Sequence, residues 1–183
     1  MKKIAILMAL SILSACASKS QNAQISIFPS VKQSNIGKQK PILITVDDLR
    51  SSGIIGELGN GDKITTSQDL SETIGLALID AFSKQGFNVG DVNNMETVQL
   101  EVSLEELSYT KNGNTVTTDV ETKSKVKVAV KKKGFERTYS NSEQRTIPFS
   151  SNEDTNNSQL SSTLGTIIDK IVNDMDLMAA MVR

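Results

Sequence analysis

The sequence predicts an α+β fold of two layers, in which two helices pack on one face of a mostly antiparallel, four-stranded sheet. Three observations support this prediction. A short apolar run opens the folded part of the chain, three long β-type segments fill its second half, and two segments carry apolar residues at helical spacing. Elements with one apolar face each are buried together when both helices cover the same side of the sheet. The predicted order is β-α-β-β-β-α.

The first strand and the first helix are predicted between residues 41 and 86. Pro41–Val46 is an apolar run typical of a buried strand. A turn-prone segment with four glycines follows, and Lys63–Thr65 is a second short β-type run. Apolar residues then recur every three or four positions and end at Gly86, which is placed as a left-handed residue after a helix. The apolar positions of this predicted helix are Leu70, Ile74, Ala77, Leu78, Ala81 and Phe82.

Three antiparallel strands are predicted next. The alternation that begins at Val98 changes phase at Leu107, so we place a β-bulge at Glu105–Glu106. Asn112–Gly113 predicts a two-residue hairpin turn. Such a turn pairs Tyr109 with Val116. The partner strand alternates as far as Val130, and a less regular third run spans Phe135–Phe149.

The second helix is predicted from Asn157 onward. Its apolar stripe is the most regular in the chain and consists of Leu160, Leu164, Ile167, Ile168, Ile171, Val172 and Met175. Met178 and Met181 continue beyond the regular spacing. Since methionine adapts to irregular surfaces, this end of the helix is either core or a contact patch.

The N-terminal residues predict a lipoprotein signal peptide. Lys2 and Lys3 precede a short apolar run, and Leu13-Ser14-Ala15-Cys16 matches a lipobox. The apolar run is shorter than the about 20 residues that a membrane-spanning helix needs. We therefore predict cleavage between Ala15 and Cys16, with lipid, including palmitate, on Cys16.

Three regions follow from this prediction. Residues 1–15 form the signal peptide, residues 16–40 form the lipidated N-terminus and a flexible tether, and residues 41–183 form a single α+β domain. A tether of this length has a root-mean-square reach of about 25–30 Å. Ala17 stands where enterobacterial lipoproteins retained in the inner membrane carry aspartate. The sequence thus resembles the outer-membrane sorting pattern, with the domain facing the periplasm of a Gram-negative cell.

Composition excludes most catalytic sites. The chain has no histidine, no tryptophan and one cysteine, Cys16. Histidine-based proton transfer, other thiol nucleophiles and His/Cys metal sites are therefore ruled out, and we expect no cofactor, no metal and no enzymatic activity. After cleavage the chain carries 18 basic and 21 acidic residues, a balance that is not typical of a nucleic-acid-binding protein.

Two surface features are candidate partner-binding sites. Lys123, Lys125, Lys127 and Lys131 fall at even spacing and so line the outer face of the sheet, either as a solvated face or as a docking surface for an acidic partner or for anionic envelope polymer or lipid. The glycine-rich segment around Gly56 is interpreted as a surface loop that becomes ordered on binding.

Asp47 and Asp48 are adjacent carboxylates, but neighbouring residues of a strand point to opposite faces, so the two side chains do not converge on one substrate. We predict instead a strand-end turn in which Asp48 pairs with Arg50.

The chain resembles the YajG-like lipoproteins of proteobacteria. The resemblance rests on the lipobox ending at Cys16, on Val46–Arg50 with its Asp-x-Arg spacing, on Ile55-Gly56 and on Gln85-Gly86-Phe87, together with the long alternating strands and the C-terminal helix. It implies an envelope lipoprotein and brings no catalytic residues.

Two functions stay open at this point. The first is a lipid-anchored, non-catalytic periplasmic domain that binds an envelope protein. The alternative is a binder of a small envelope ligand, such as a lipid, glycan or peptidoglycan fragment, held between helices and sheet or on the lysine face. A ligand site needs a cavity of about 300 Å³ or more with a few convergent polar groups. A helix–sheet interface that is filled by side chains therefore favours the protein-binding function.

The lipobox is tested by the Cys16→Ser variant. We expect this variant to lose palmitate labelling and to accumulate as unprocessed precursor, because the Cys16 thiol is the only soft nucleophile in the chain for diacylglyceryl transfer. Metabolic labelling followed by gel electrophoresis measures both effects. Continued labelling of the variant would contradict the prediction.

Overall fold

In the computed structural model, eight strands form one mixed, strongly curled sheet that is accompanied by three helices. The structure describes residues 20–58, 61–90, 96–113, 117–131, 133–148 and 152–183. The helices are α1 (Leu70–Lys84), α2 (Glu153–Val172) and α3 (Met175–Val182). The strands are β1 (Gln21–Asn22), β2 (Pro41–Asp48), β3 (Ile54–Glu57), β4 (Lys63–Thr65), β5 (Asn88–Val89), β6 (Val98–Gly113), β7 (Thr117–Val130) and β8 (Phe135–Pro148).

Strand β6 is the centre of the sheet. One of its edges pairs with β7, which in turn pairs with β8, and both pairings are antiparallel. The other edge is shared by two parallel neighbours: β2 pairs with its first half, and β3 meets its second half at Gly56 and Tyr109. The short strands β5, β4 and β1 extend the sheet beyond β2 and β3.

The prediction of a four-stranded, mostly antiparallel sheet is therefore wrong. Strand β2 lies parallel to β6, because the chain between them crosses over through α1 and returns to the same end of the sheet. Strands β1, β3, β4 and β5 are also part of the sheet. Each has two to four residues, too few for an alternating pattern to distinguish a strand from a turn.

The helices begin and end where the sequence supplies caps. The six buried residues of α1 are the six predicted from their spacing, and Gly86 follows the helix with a φ of 85°. Helix α2 begins at Glu153, four residues before the predicted start, because the Asn152 side chain accepts a hydrogen bond from the Thr155 amide at 2.8 Å.

The C-terminal methionines divide between core and surface. The chain leaves helical geometry at Asn173, and Asp174 caps the separate helix α3. Met178 and Met181 are buried there, whereas Met175 is exposed. Met178 and Met181 are therefore core residues and not a contact patch.

The predicted β-bulge is confirmed, but the predicted hairpin register is wrong. The register of β6 against β7 shifts between Leu104 and Glu106, so Glu105 is the extra residue. Tyr109 pairs with Thr122 and not with Val116, a displacement of six residues along β7. An even displacement leaves every side chain on its own face of the sheet, so the alternating pattern cannot detect it.

Residues 21–40 pack against the domain. Residues 23–31, here called the strap, lie along both α1 and α2, with Ala23 and Ile25 fully buried. The strap amides donate hydrogen bonds to side chains beside and within the helices. Ile25 donates to Gln68, just before α1, at 2.5 Å, whereas Ser26 donates to Ser161 at 3.1 Å and Ser30 to Asp169 at 2.7 Å, both in α2.

The tether prediction for residues 16–40 is therefore corrected. Residues 21–40 belong to the folded domain, because alternating side chains of the strap have an apolar seam between two helices to fill. The predicted signal peptide, residues 1–15, and residues 16–19 lie outside the described residues.

Gly56 is where β3 approaches β6 most closely, and its substitution tests this contact. A Cβ atom at Gly56 would lie 2.1 Å from the backbone oxygen of Tyr109, and no side-chain rotation relieves a clash with backbone. We expect Gly56→Ala to lower the free energy of unfolding by about 1–3 kcal/mol. Urea denaturation followed by circular dichroism measures the loss.

Gly53→Ala is the matched control, since nothing lies within 4 Å of its Cβ position. Its effect should stay within about 0.5 kcal/mol. Equal stability of the two variants would show that β3 and β6 are not in close contact.

Candidate functional site

The four candidate lysines lie on one side of the β6–β7–β8 sheet, the side opposite the helices, here called the outer face. Lys123, Lys125 and Lys127 alternate with buried residues of β7, and Lys131 directly follows this strand. All four side chains are partly exposed. The structure thus brings these residues together in a row, as the even spacing predicted.

Each lysine of the outer face is paired with a carboxylate. Lys123 contacts Glu121 at 3.1 Å, Lys125 contacts Glu105 at 2.9 Å and Lys127 contacts Glu136 at 2.9 Å, while Lys131 pairs with Glu101. The hydrogen bond between Lys127 and Glu136 raises the pKa of the lysine, and that from Lys123 lowers the pKa of Glu121. The outer face therefore alternates positive and negative charge and is not a uniformly basic surface.

The bulge supplies one of these carboxylates. Glu105 is the extra residue of β6, and its side chain reaches Lys125 on the neighbouring strand. A register that pairs Tyr109 with Val116 would place Glu101 opposite Lys123, but the observed register brings Glu101 to Lys131 instead.

Gly56 lies in a strand and not in a loop. It is part of β3, and its backbone packs directly on Tyr109. The interpretation of this residue as part of a binding loop is corrected, because the close approach of two strands, and not mobility, explains the glycine.

Asp48 pairs with Arg50, as predicted for a strand-end turn. The guanidinium donates to both carboxylate oxygens, at 2.9 and 2.7 Å. These hydrogen bonds hold the pKa of Asp48 below its ordinary value. Asp48 is therefore occupied in an ion pair within its own turn.

A buried polar seam between α2 and the sheet was not found by sequence reasoning. The Tyr109 hydroxyl donates to the Asn156 amide oxygen at 2.8 Å, and the Asn156 amide group donates to Gln21 at 2.7 Å. Further along the helix, the hydroxyls of Thr122 and Thr163 lie 2.5 Å apart. These side chains fill the helix–sheet interface with direct contacts. The sequence signal for this seam was the presence of threonine at inward-facing positions, Thr122 in the strand and Thr163 in the helix.

A second cluster, here called the clasp, joins β8 to the start of α3. Asp174 accepts a hydrogen bond from the Tyr139 hydroxyl at 2.6 Å and forms an ion pair with Arg137, which also contacts Asp176 at 2.9 Å. The Asp174 side chain is only 8% exposed. Burial opposes its ionisation, but the hydrogen bonds from Tyr139, the Leu177 amide and Arg137 outweigh burial and lower the pKa of Asp174.

The clasp also perturbs its tyrosine. Burial and the hydrogen bond to Asp174 raise the pKa of Tyr139, so this hydroxyl stays protonated and serves as a donor. The arrangement is suited to holding two elements together, and it leaves no free acid or base for proton transfer.

An apolar groove of about 530 Å³ lies between the strap and α1. Ile25, Ile27 and Phe28 line one wall, and Leu76 and Ala77 line the other. Asp80 and Lys84, which form an ion pair at 2.6 Å, also line the groove.

The described ranges contain neither a cluster of metal ligands nor a helix suited to span a membrane. There, no three side chains of His, Cys, Asp or Glu are grouped as a metal site. In the same part of the chain, each helix is too short or too polar to cross a membrane. Ala15 and Cys16, the predicted processing and lipidation residues, lie outside it.

Comparison with known proteins identifies a family but no activity. A family model described as an uncharacterized lipoprotein matches residues 28–181. None of the curated proteins compared with the chain is significantly similar to it.

Among solved structures, a Xanthomonas campestris protein of the DUF330 family aligns with a TM-score of 0.51 and 11% identity, covering 84% of this chain and 90% of that one. This likeness shows a shared fold alone. A Helicobacter pylori homologue of neuraminyllactose-binding hemagglutinin aligns with a TM-score of 0.47 and 9% identity over 84% of this chain and 95% of that one. A TM-score below 0.5 does not establish a common fold.

The charge of the clasp is tested by Asp174→Asn, which retains a side chain able to cap α3. We expect this variant to lose about 1–3 kcal/mol of stability at neutral pH, because Arg137 and Tyr139 lose their charged acceptor. Since the folded-state pKa of Asp174 is lowered from 3.8, its contribution is present above that pH and is lost as the pH falls below it. The difference between wild type and variant should therefore shrink under acid conditions.

The control is Asp80→Asn, which breaks the exposed pair with Lys84. It should cost at most about 0.5 kcal/mol. Urea denaturation at several pH values measures both variants, and a pH-independent deficit in Asp174→Asn would contradict the assigned charge.

Proposed function

The chain belongs to this family of uncharacterized lipoproteins, and we propose that it is a lipid-anchored envelope protein whose non-catalytic domain binds a protein partner. The anchor is the lipid on Cys16, which becomes the N-terminal residue once the bond that follows Ala15 is cleaved. The membrane is the outer membrane, and the domain faces the periplasm. The lipobox, Ala17 and the resemblance to YajG-like lipoproteins support these finer assignments.

The observation that carries the proposed binding function is the outer face. It is formed by three strands of 14 to 16 residues, and the lysines and their carboxylate partners remain partly exposed on it. Alternating charges at fixed positions favour a partner with the complementary pattern, because like charges brought together at an interface are costly. The proposed partner therefore presents a mixed-charge surface and not a purely acidic one.

Binding of a small ligand between helices and sheet has less support. In the described residues, the side chains of the two layers contact one another directly, as Tyr109 does with Asn156 and Thr122 with Thr163. A ligand cavity at this position would require these hydrogen bonds to break.

Photo-crosslinking in cells tests the outer face. Lys125 is replaced by p-benzoylphenylalanine, and the matched control carries the same group at Ser158, an exposed position of α2 on the helical side. We expect a discrete protein adduct from position 125 and none from position 158. Mass spectrometry of the adduct names the partner.

Charge reversal distinguishes specific docking from chance proximity. Lys123→Glu and Lys127→Glu, introduced together, should abolish the adduct because they reverse the alternation on both sides of position 125. Circular dichroism checks that the variant folds. If a folded, abundant protein gives no adduct from position 125, or if the adduct survives charge reversal, the proposal is wrong.

A further inference from the structure

Three large apolar side chains are exposed together beside the groove. Phe28 on the strap is 87% exposed, and Leu76 and Ile79 on α1 are 60% and 41% exposed. Phe28 and Leu76 line the same groove, and Ile79 follows Leu76 by one helical turn on the same side of α1. These three residues are here called the apolar patch.

The apolar patch is not required by the core. Leu76 and Ile79 lie outside the buried stripe of α1, where polar residues would be equally compatible with the helix. Among the described residues, six large apolar side chains are strongly exposed, and three of them belong to this patch. Clustered apolar exposure beside a concave groove marks an interaction surface, unlike the single exposed apolar residues found on most proteins.

Packing of the strap brings the domain close to its anchor. If residues 16–40 were flexible, the domain would stand off the membrane by about 25–30 Å on average. Instead the folded part begins with β1 at Gln21, and the five residue steps from Cys16 to Gln21 span at most about 18 Å. The strap that carries Phe28 continues directly from β1, so the apolar patch is on the segment joined to the anchor.

We propose that the apolar patch inserts into the phospholipid surface of the membrane that holds the Cys16 lipid. This inference rests on the proposed lipid anchor. The short connection places one side of the domain against the bilayer, and an aromatic ring with two aliphatic side chains is the composition that binds the interfacial region. Lys32, exposed four residues after Phe28, is suited to contact anionic headgroups. Anchor and patch together give two points of membrane attachment.

The absence of tryptophan from the sequence makes a direct test practicable. Phe28→Trp and Leu76→Trp each introduce the only tryptophan of the chain into the apolar patch. Thr138→Trp introduces it at an exposed position of β8 on the outer face and is the matched control. The full lipidated chain is reconstituted into vesicles of phosphatidylethanolamine and phosphatidylglycerol, with or without brominated acyl chains.

We expect brominated lipid to reduce the fluorescence of Phe28→Trp and Leu76→Trp by about twofold, because interfacial side chains lie at the depth of the upper acyl chains. The fluorescence of Thr138→Trp should be unchanged. Flotation of each variant with the vesicles verifies the anchor independently of fluorescence.

Two results would overturn the inference while leaving the anchor intact. The first is flotation of all variants with no more quenching of Phe28→Trp than of Thr138→Trp. The second is a blue-shifted emission of Phe28→Trp without quenching by brominated lipid, which would mean that a protein surface and not lipid covers the patch. Failure of the wild-type chain to float would refute the proposed anchor itself, and the membrane insertion with it.

Discussion

Strand β6 imposes the main constraint on this structure. It pairs with other strands along both edges, and its bulge changes which of its residues face the helices. Before the bulge its even-numbered residues face the helices, and after Glu105 its odd-numbered residues do so. The bulge thereby keeps Leu104 and Leu107 on the same buried side. On the other edge of β6, the bulge lies between the segment paired with β2, which ends at Leu104, and Tyr109, which pairs with β3.

The interior is stabilised in two different ways. Around α1 it is apolar, with Phe82 and Ile74 fully buried. Between α2 and β7 it includes a polar seam in which hydroxyl and amide groups satisfy one another, and such directional contacts specify the helix position more sharply than apolar packing does. The clasp at Asp174 then holds the last helix to β8. The surfaces left for function are the outer face and the apolar patch, on opposite sides of the domain.

This separation is compatible with a protein that meets a membrane on one side and a partner on the other. Neither surface was apparent in this form from the sequence. The lysines were found by their spacing, but their carboxylate partners Glu105 and Glu136 come from neighbouring strands. The helical period identifies the buried positions of α1 only, so it does not indicate Leu76 and Ile79. The charge pattern and the exposure of a surface depend on which elements are adjacent. Which residues of those elements meet depends in turn on the register of the strand pairing.

The sequence by itself determined the long elements, their buried faces, the bulge and the six core positions of α1, because each follows from a local period of two or 3.6 residues. Only the tertiary structure decided the parallel pairing of β2 with β6, the six-residue difference in hairpin register and the packing of the strap. An even register shift preserves every face, and strands of two residues carry no period. These features depend on how distant segments fit together, and that information is not contained in any local pattern.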